Sequence, residues 1–150
     1  MICVNRIASL ALLAIALSPI QRASADEPRP ILIGIVTFLS GPGAAPFGVP
    51  ARNAAELSVD ALNSGGVPAP YRTRGFGGRP LEMVVLDEAG PVSKVVTEYR
   101  NLVERRGVDI VIGYISSASC LAVAPVAEQL RRLTVIFTCG TPRLFEDASY

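Results

Sequence analysis

The chain has 150 residues, of which half are hydrophobic, and its formal net charge at pH 7 is +1. It contains no histidine, which excludes Ser-His-Asp and Cys-His catalysis and histidine-based zinc sites within this chain. The charges are scattered and form no basic patch, so we expect no nucleic-acid site and no site for anionic lipid.

The first 25 residues are organised like a secretory signal peptide. A short segment with one arginine precedes the apolar run Ile7–Leu17, which is shorter than the roughly 20 residues needed to cross a bilayer. Ala23-Ser24-Ala25 is a cleavage signal. We therefore expect an exported, periplasmic protein that is cleaved after Ala25 and begins at Asp26, with 12 basic and 13 acidic residues.

The next segment predicts a strand, a helix and an exposed loop. Ile31–Leu39 is continuously apolar, as expected for a parallel strand buried on both faces, and a turn-rich loop follows it. Pro50–Ser64 has the periodicity of an amphipathic helix, and Gly65-Gly66 ends it. Residues 67–80 are rich in proline, glycine and arginine, which predicts a surface loop or small hairpin.

The second half of the chain also alternates between predicted strands and predicted helices. Strands are predicted at residues 81–86, 109–114 and 133–137, helices at 91–106 and 119–131, and a last segment at 143–150. The order βαβαβαβ with short connections predicts one three-layer α/β domain, with a parallel sheet and helices on both faces.

Small hydroxyl residues follow the third and fourth predicted strands. Ser116, Ser117 and Ser119 precede a helix, and Thr138 and Thr141 follow the next strand. The carboxyl ends of parallel strands meet at one sheet edge, where ligands bind in open α/β sheets. Hydroxyls and free N–H groups at a helix N-terminus bind anions such as a carboxylate, and simple helix capping is the alternative. No base accompanies these serines, so none is expected to be a nucleophile.

Two other features favour structural roles. The loop after the first strand lacks the third glycine of a dinucleotide-binding fingerprint, and its Phe47 could either form an apolar wall over a ligand or pack in a turn. Asp87-Glu88 ends the second strand. An aspartate that caps the following turn is favoured there over a pair of reactive carboxylates.

The predicted mature chain has two cysteines, Cys120 and Cys139. In an oxidising compartment an even pair suggests a disulfide, and both lie at the ends of adjacent predicted elements. Two buried free cysteines are the alternative, because a disulfide requires a Cα separation of about 4.4–6.8 Å.

Taken together, these stretches resemble a known family. The matching segments are, in order, ILIGIVTFLSGPGAAPFG, PARNAAELSVDALNSGG, GRPLEMVVLDE, GVDIVIGYISSAS and TVIFTCGTP. They resemble the N-terminal part of type I periplasmic solute-binding proteins of the branched-chain amino acid ABC transporter group. The resemblance implies that residues 26–150 are one incomplete lobe of a two-lobed protein. Such a protein closes on a small ligand and delivers it to a membrane permease, without a cofactor, a metal or a catalytic residue.

The resemblance also implies which residues hold the ligand. In family members that bind amino acids, a serine loop and a threonine loop hold the α-carboxylate. By position, the residues that would contact the ligand are Ser117, Cys139, Gly140, Thr141, Phe47, Ser116 and Tyr114. Ser117 would supply a hydroxyl, Thr141 a hydroxyl and an N–H, and Phe47 an aromatic lid.

Two departures from the family pattern qualify these expectations. The family usually has a small residue, often alanine, where Cys139 stands, so the ligand could be a branched-chain amino acid, an amide, urea or an aromatic acid. Family members are more than twice as long, so the second lobe is expected to be absent and the chain alone to be weakly stable, without tight binding.

An exported enzyme with catalytic groups beyond Tyr150 and the sensing lobe of a membrane receptor are the alternative functions.

Overall fold

A parallel four-stranded sheet forms the centre of the computed structural model, which describes residues 28–71 and 73–147. The predicted leader and its cleavage site lie outside these residues. The strands are β1 (Ile31–Thr37), β2 (Leu81–Asp87), β3 (Ile110–Gly113) and β4 (Thr134–Ile136). Their order across the sheet is β2-β1-β3-β4, and the three neighbouring pairs are parallel. The predicted parallel α/β class is confirmed.

Helices connect the strands on both faces of the sheet. The connecting helices are α1 (Val49–Ser64), α2 (Val92–Arg100) and α3 (Ser117–Gln129), and the short helix α4 (Arg143–Glu146) follows β4. Helices α2 and α3 pack against each other, and α1 packs on β1 and β2. Because β1–α1–β2 runs in the opposite direction along the sheet from the later connections, right-handed crossovers place α1 on the other face.

The structure corrects two predicted helix boundaries. The helix predicted over 91–106 is α-helical only to Arg100 and continues as the π-helical segment Asn101–Arg105. The helix predicted to start at Ser119 begins two residues earlier, at Ser117, because Ser116 takes the N-cap position. A serine run offers several capping positions, and the sequence alone did not identify which one the chain uses.

The hydrophobic core lies between the sheet and the α2–α3 pair. Residues with no exposed surface there include Tyr99, Leu102, Val108, Val111 and Val123. In contrast, α1 contributes no fully buried residue. At the edge strand β4, apolar side chains such as Leu133 and Phe137 remain 62% and 47% exposed.

The strand order creates a crevice at the carboxyl ends of β1 and β3. The connection from β1 leads to one side of the sheet and that from β3 to the other, so the loops after these two strands diverge. Val36 of β1 pairs with Gly113 of β3. A Cβ at Gly113 would lie 2.2 Å from the Val36 carbonyl oxygen, so only glycine allows the strands to approach this closely here.

No helix in residues 28–71 and 73–147 is long and apolar enough to cross a membrane.

Candidate ligand-binding edge of the sheet

The turn from β3 into α3 presents main-chain donors at the carboxyl edge of the sheet. Tyr114 has a φ of +69°, a left-handed conformation that is rare for a bulky residue, and its N–H donates to the Val36 carbonyl at 3.2 Å. The chain then leaves the sheet and enters α3. The Ser116 hydroxyl accepts a hydrogen bond from the Ser119 N–H at 3.4 Å.

Helix α3 therefore begins with donors that have no partner inside the helix. The N–H groups of Ser117 and Ala118 lie in its first turn, where no preceding helical carbonyl can accept from them. The aligned peptide dipoles of a helix also place a partial positive charge at this end. Ser117 is half-buried, and its hydroxyl belongs to the same turn.

The loop after β4, residues 137–142, lies beside this turn. The Thr138 hydroxyl donates to the Tyr114 carbonyl at 3.4 Å. Cys139 is joined to Cys120 of α3, with the two Cα atoms 6.3 Å apart, which is within the range that disulfides require. Gly140 is exposed, and a Cβ there would meet no heavy atom within 4 Å among the described residues. The two loops thus meet at an open surface.

Asp87 holds the loop after β1 in place through hydrogen bonds to its carboxylate. Its carboxylate accepts the N–H groups of Leu39 at 2.9 Å and Ala89 at 3.0 Å, and the hydroxyl of Ser40. Burial raises the pKa of Asp87, but the hydrogen bond from Ser40 and those from the backbone outweigh burial and lower it below its ordinary value. The predicted capping role of this aspartate is confirmed.

Glu88 has a role that the sequence did not indicate. Its side chain is 2% exposed, and its two carboxylate oxygens accept the N–H groups of Ile115 at 2.9 Å and Ser116 at 2.8 Å. These partners lie 27 and 28 residues further along the chain. The only sequence signal was an acidic residue directly after a buried strand.

The structure brings most of the predicted ligand residues to this edge. Ser116, Ser117, Cys139 and Thr141 are half-buried, and Gly140 is exposed, all in the two adjacent loops.

Phe47 and Tyr114 are placed differently. The Phe47 side chain is 58% exposed, at the carboxyl end of the neighbouring strand β1. The Tyr114 side chain has no exposed surface, so it does not reach a ligand at this edge, because the left-handed turn directs it into the core. Burial, and next the nearby Tyr99 and Glu88, raise the pKa of Tyr114 far above its ordinary value.

A cavity of about 530 Å³ lies elsewhere, between α3, β4 and α4. Its lining, which includes Ala127, Thr134 and Leu144, contains none of the predicted ligand residues. Within the described parts of the chain, no group of three or more Cys, Asp or Glu residues could hold a metal ion. Most of the predicted ligand residues lie in the loops at the carboxyl edge, and none of them lines this cavity, whose cations are Arg131 and Arg132.

The chain matches a family model described as "Periplasmic binding protein" over residues 30–148. Because this match covers most of the sequence, the chain belongs to the periplasmic binding protein family. No curated protein sequence matches it.

Several solved structures share the fold. LivJ, the branched-chain amino acid transporter substrate-binding protein from Streptococcus pneumoniae solved with isoleucine, has a TM-score of 0.67 at 24% identity over 79% of this chain. An ABC transporter substrate-binding protein from Sphaerobacter thermophilus has a TM-score of 0.60 at 31% identity over 77% of this chain. A solute-binding protein from R. palustris, in complex with 4-hydroxybenzoate, has a TM-score of 0.59 at 21% identity over 79% of this chain. The chain covers 32%, 28% and 30% of these three proteins, respectively.

Proposed function

We propose that this chain is the N-terminal ligand-binding lobe of an ABC importer's solute-binding protein, and that the carboxyl edge of its sheet binds a small carboxylate or amino-acid-like solute. The observation that carries this proposal is the meeting of the α3 N-terminus with the loop over residues 137–142. The hydrogen bond from Thr138 to Tyr114 and the link between Cys139 and Cys120 hold these two loops together.

The chemistry of this edge suits a carboxylate. N–H groups at a helix N-terminus point outward along the helix axis and bind anions without a cationic side chain. In this proposal, one carboxylate oxygen accepts from the Ser117 hydroxyl and a first-turn N–H, and the other from Thr141. Each hydrogen bond to a charged group stabilises a complex by about 1.5–3 kcal/mol.

The open surface at Gly140 leaves room for the remainder of the ligand. A ligand can approach the main chain there closely, because no side chain projects from this position. Phe47, exposed at the end of the neighbouring strand, would form an apolar wall on the opposite side. Aromatic side chains bury large apolar areas, so this residue would favour an apolar ligand side chain.

Two related structures guide the choice of ligand. The LivJ structure contains isoleucine and the R. palustris structure contains 4-hydroxybenzoate, and both molecules carry a carboxylate. We propose that this shared group is what the edge recognises, with an aliphatic or aromatic remainder. The family and the leader-like first 25 residues support an exported protein that passes its ligand to a membrane permease.

Calorimetric titration with isoleucine, 4-hydroxybenzoate and isoleucine amide tests the proposal. We expect one of the two acids to bind with a Kd on the order of 1 mM, which corresponds to about −4 kcal/mol. Isoleucine amide, which lacks the carboxylate, should bind at least about tenfold more weakly than isoleucine if isoleucine is the acid that binds. Equal affinity for the acid and its amide would contradict carboxylate recognition.

A pair of serine variants locates the site. Ser117→Ala removes a hydroxyl from the first turn of α3 and should weaken binding of the acid by about tenfold to a hundredfold. Ser93→Ala is the matched control, because Ser93 is exposed in the first turn of α2. An equal effect of the two substitutions would place the ligand elsewhere.

A further inference from the structure

Glu88 joins the ends of three strands that form the site. Its own N–H donates to the Thr37 carbonyl at the end of β1, at 2.9 Å. Its side chain passes the end of β1, which lies between β2 and β3 in the sheet, and accepts from the main chain that follows β3. One residue therefore fixes the end of β1 and the turn into α3 relative to β2.

The Glu88 carboxylate is not free to contact a ligand. Each of its oxygens already accepts a main-chain N–H, from Ile115 and from Ser116, at 2.9 and 2.8 Å. Only 2% of the residue is exposed. A ligand ammonium group would have to lose its hydration to reach a carboxylate that is almost completely buried, which is costly. Any effect of Glu88 on binding must therefore act through the main chain that it holds.

That main chain sets the direction of the proposed ligand donors. The turn begins at Tyr114, whose left-handed backbone is unfavourable for a bulky residue and persists only when its surroundings hold it. Glu88 accepts from the next two N–H groups, and the second of them belongs to Ser116, the N-cap of α3. Fixing the N-cap fixes where the N–H groups of Ser117 and Ala118 point.

We propose that Glu88 is a positioning residue for the ligand site: it orients the first turn of α3 toward a ligand carboxylate without touching the ligand. This inference rests on the proposed function and adds a residue that directly follows β2 to a site otherwise made by the loops after β1, β3 and β4. A carboxylate is needed here because it offers an acceptor to each N–H group, whereas an amide offers one oxygen and a donor.

The test compares the ¹⁵N-labelled chain with its Glu88→Gln variant by amide hydrogen exchange and chemical shift. The variant should show faster exchange at Ile115 and Ser116, and shifted amide resonances at Ser117 and Ala118. Its affinity for isoleucine or 4-hydroxybenzoate, whichever binds the unmodified chain, should fall by about tenfold, the effect of one lost interaction of about 1.4 kcal/mol.

Two controls separate positioning from general destabilisation. Glu82→Gln changes an exposed residue near the start of β2, the strand that Glu88 follows, and should leave every readout unchanged. Val95→Ala removes core volume on α2, where the residue is 4% exposed. It should lower the unfolding temperature while the resonances of Ser117 and Ala118 and the affinity per folded molecule stay as in the unmodified chain.

The amide readout decides the proposal even if neither acid binds. Failure of both acids to bind would contradict the proposed function, whereas the shifts at Ser117 and Ala118 would still show whether Glu88 orients the turn. Changes confined to Ile115 and Ser116, or a Val95→Ala variant with the same shifts and affinity loss, would overturn positioning by Glu88. If Glu88→Gln does not fold, Glu88→Asp, which keeps a carboxylate but shortens its reach, is judged by the same criteria.

Discussion

At each end of the parallel sheet a carboxylate accepts a main-chain N–H group, but the other partners of the two carboxylates differ. At the amino end, Asp109 accepts from the Leu32 N–H at 2.9 Å and forms an ion pair with Arg29. At the carboxyl end, Glu88 accepts two main-chain N–H groups from the turn before α3. The first carboxylate is paired with a cation, whereas the partners of the second, among the described residues, are backbone N–H groups.

The difference supports the proposal that a ligand binds at the carboxyl end of the sheet. At the amino end, Arg79 donates to the carbonyls of Arg29 and Pro30, so its donors serve the chain itself. At the carboxyl end, the acidic groups are occupied by loop N–H groups, and the donors of the first turn of α3 are left available to a ligand. The carboxylates of Asp87 and Glu88 thus hold the loops in place, and the N-terminus of α3 and the nearby hydroxyls are proposed to bind the ligand.

The largest effect is expected from removing the buried carboxylate. Glu88→Ala should lower the free energy of unfolding by about 2–6 kcal/mol, because two partly buried N–H groups each lose an acceptor at a cost of about 1–3 kcal/mol. Urea denaturation measures this, with Glu82→Ala, near the exposed start of β2, as the control. A loss below about 0.5 kcal/mol, the range of ordinary surface substitutions, would contradict the contrast between the two ends.

Reduction of the disulfide, which also lies at the carboxyl end, should cause the next largest loss of stability. The bond between Cys120 and Cys139 spans 19 residues, and closing a loop of this size stabilises the folded state by about 3 kcal/mol. For the chain produced from Asp26, dithiothreitol should lower the urea midpoint accordingly. The double variant Cys120→Ser/Cys139→Ser should not respond to the reductant. An unmodified chain that is equally insensitive would show that the two loops are not covalently joined.

A smaller effect should appear as pH dependence at the amino end. The Leu32 N–H, and next the Arg29 guanidinium, lower the pKa of Asp109 in spite of its partial burial. A lowered folded-state pKa contributes stability above the unfolded value of about 3.9, and this contribution is lost as the pH falls through the folded pKa. Asp109→Asn should therefore lower stability at pH 7 and lower it progressively less as the pH falls toward 2. Equal losses at the two pH values would contradict this.

The smallest effect is expected from the exposed cation. Arg29→Ala should cost at most about 1 kcal/mol, because surface ion pairs are weak, and the loss should shrink as salt screens the charges. The Arg29 side chain is 65% exposed. Urea midpoints at low and high sodium chloride concentration measure the effect, with Arg105→Ala, at an exposed arginine in the segment Asn101–Arg105, as the control. A large, salt-independent loss would mean that the amino end does not depend on a surface pair.

The sequence predicted the fold and the placement of part of the candidate site, because both follow from local patterns. Apolar runs and helical periodicity gave the strands and helices, and parallel connection placed the loops of Ser117 and Thr141 at one edge. The role of Glu88 could not be predicted, because its partners are distant in sequence and lie across an intervening strand. The burial of Tyr114 depends on a left-handed turn, and a tyrosine in the sequence does not signal such a turn.

The most direct test of the account is a chemical-shift map of the ¹⁵N-labelled chain titrated with isoleucine and with 4-hydroxybenzoate. We predict that one of these acids shifts the amide resonances of Ser117, Ala118 and Thr141 at the carboxyl end, while those of Leu32 and Asp109 at the amino end stay in place. Shifts centred on the amino end, or no shift with either acid, would contradict the claim that the carboxyl edge binds a small carboxylate.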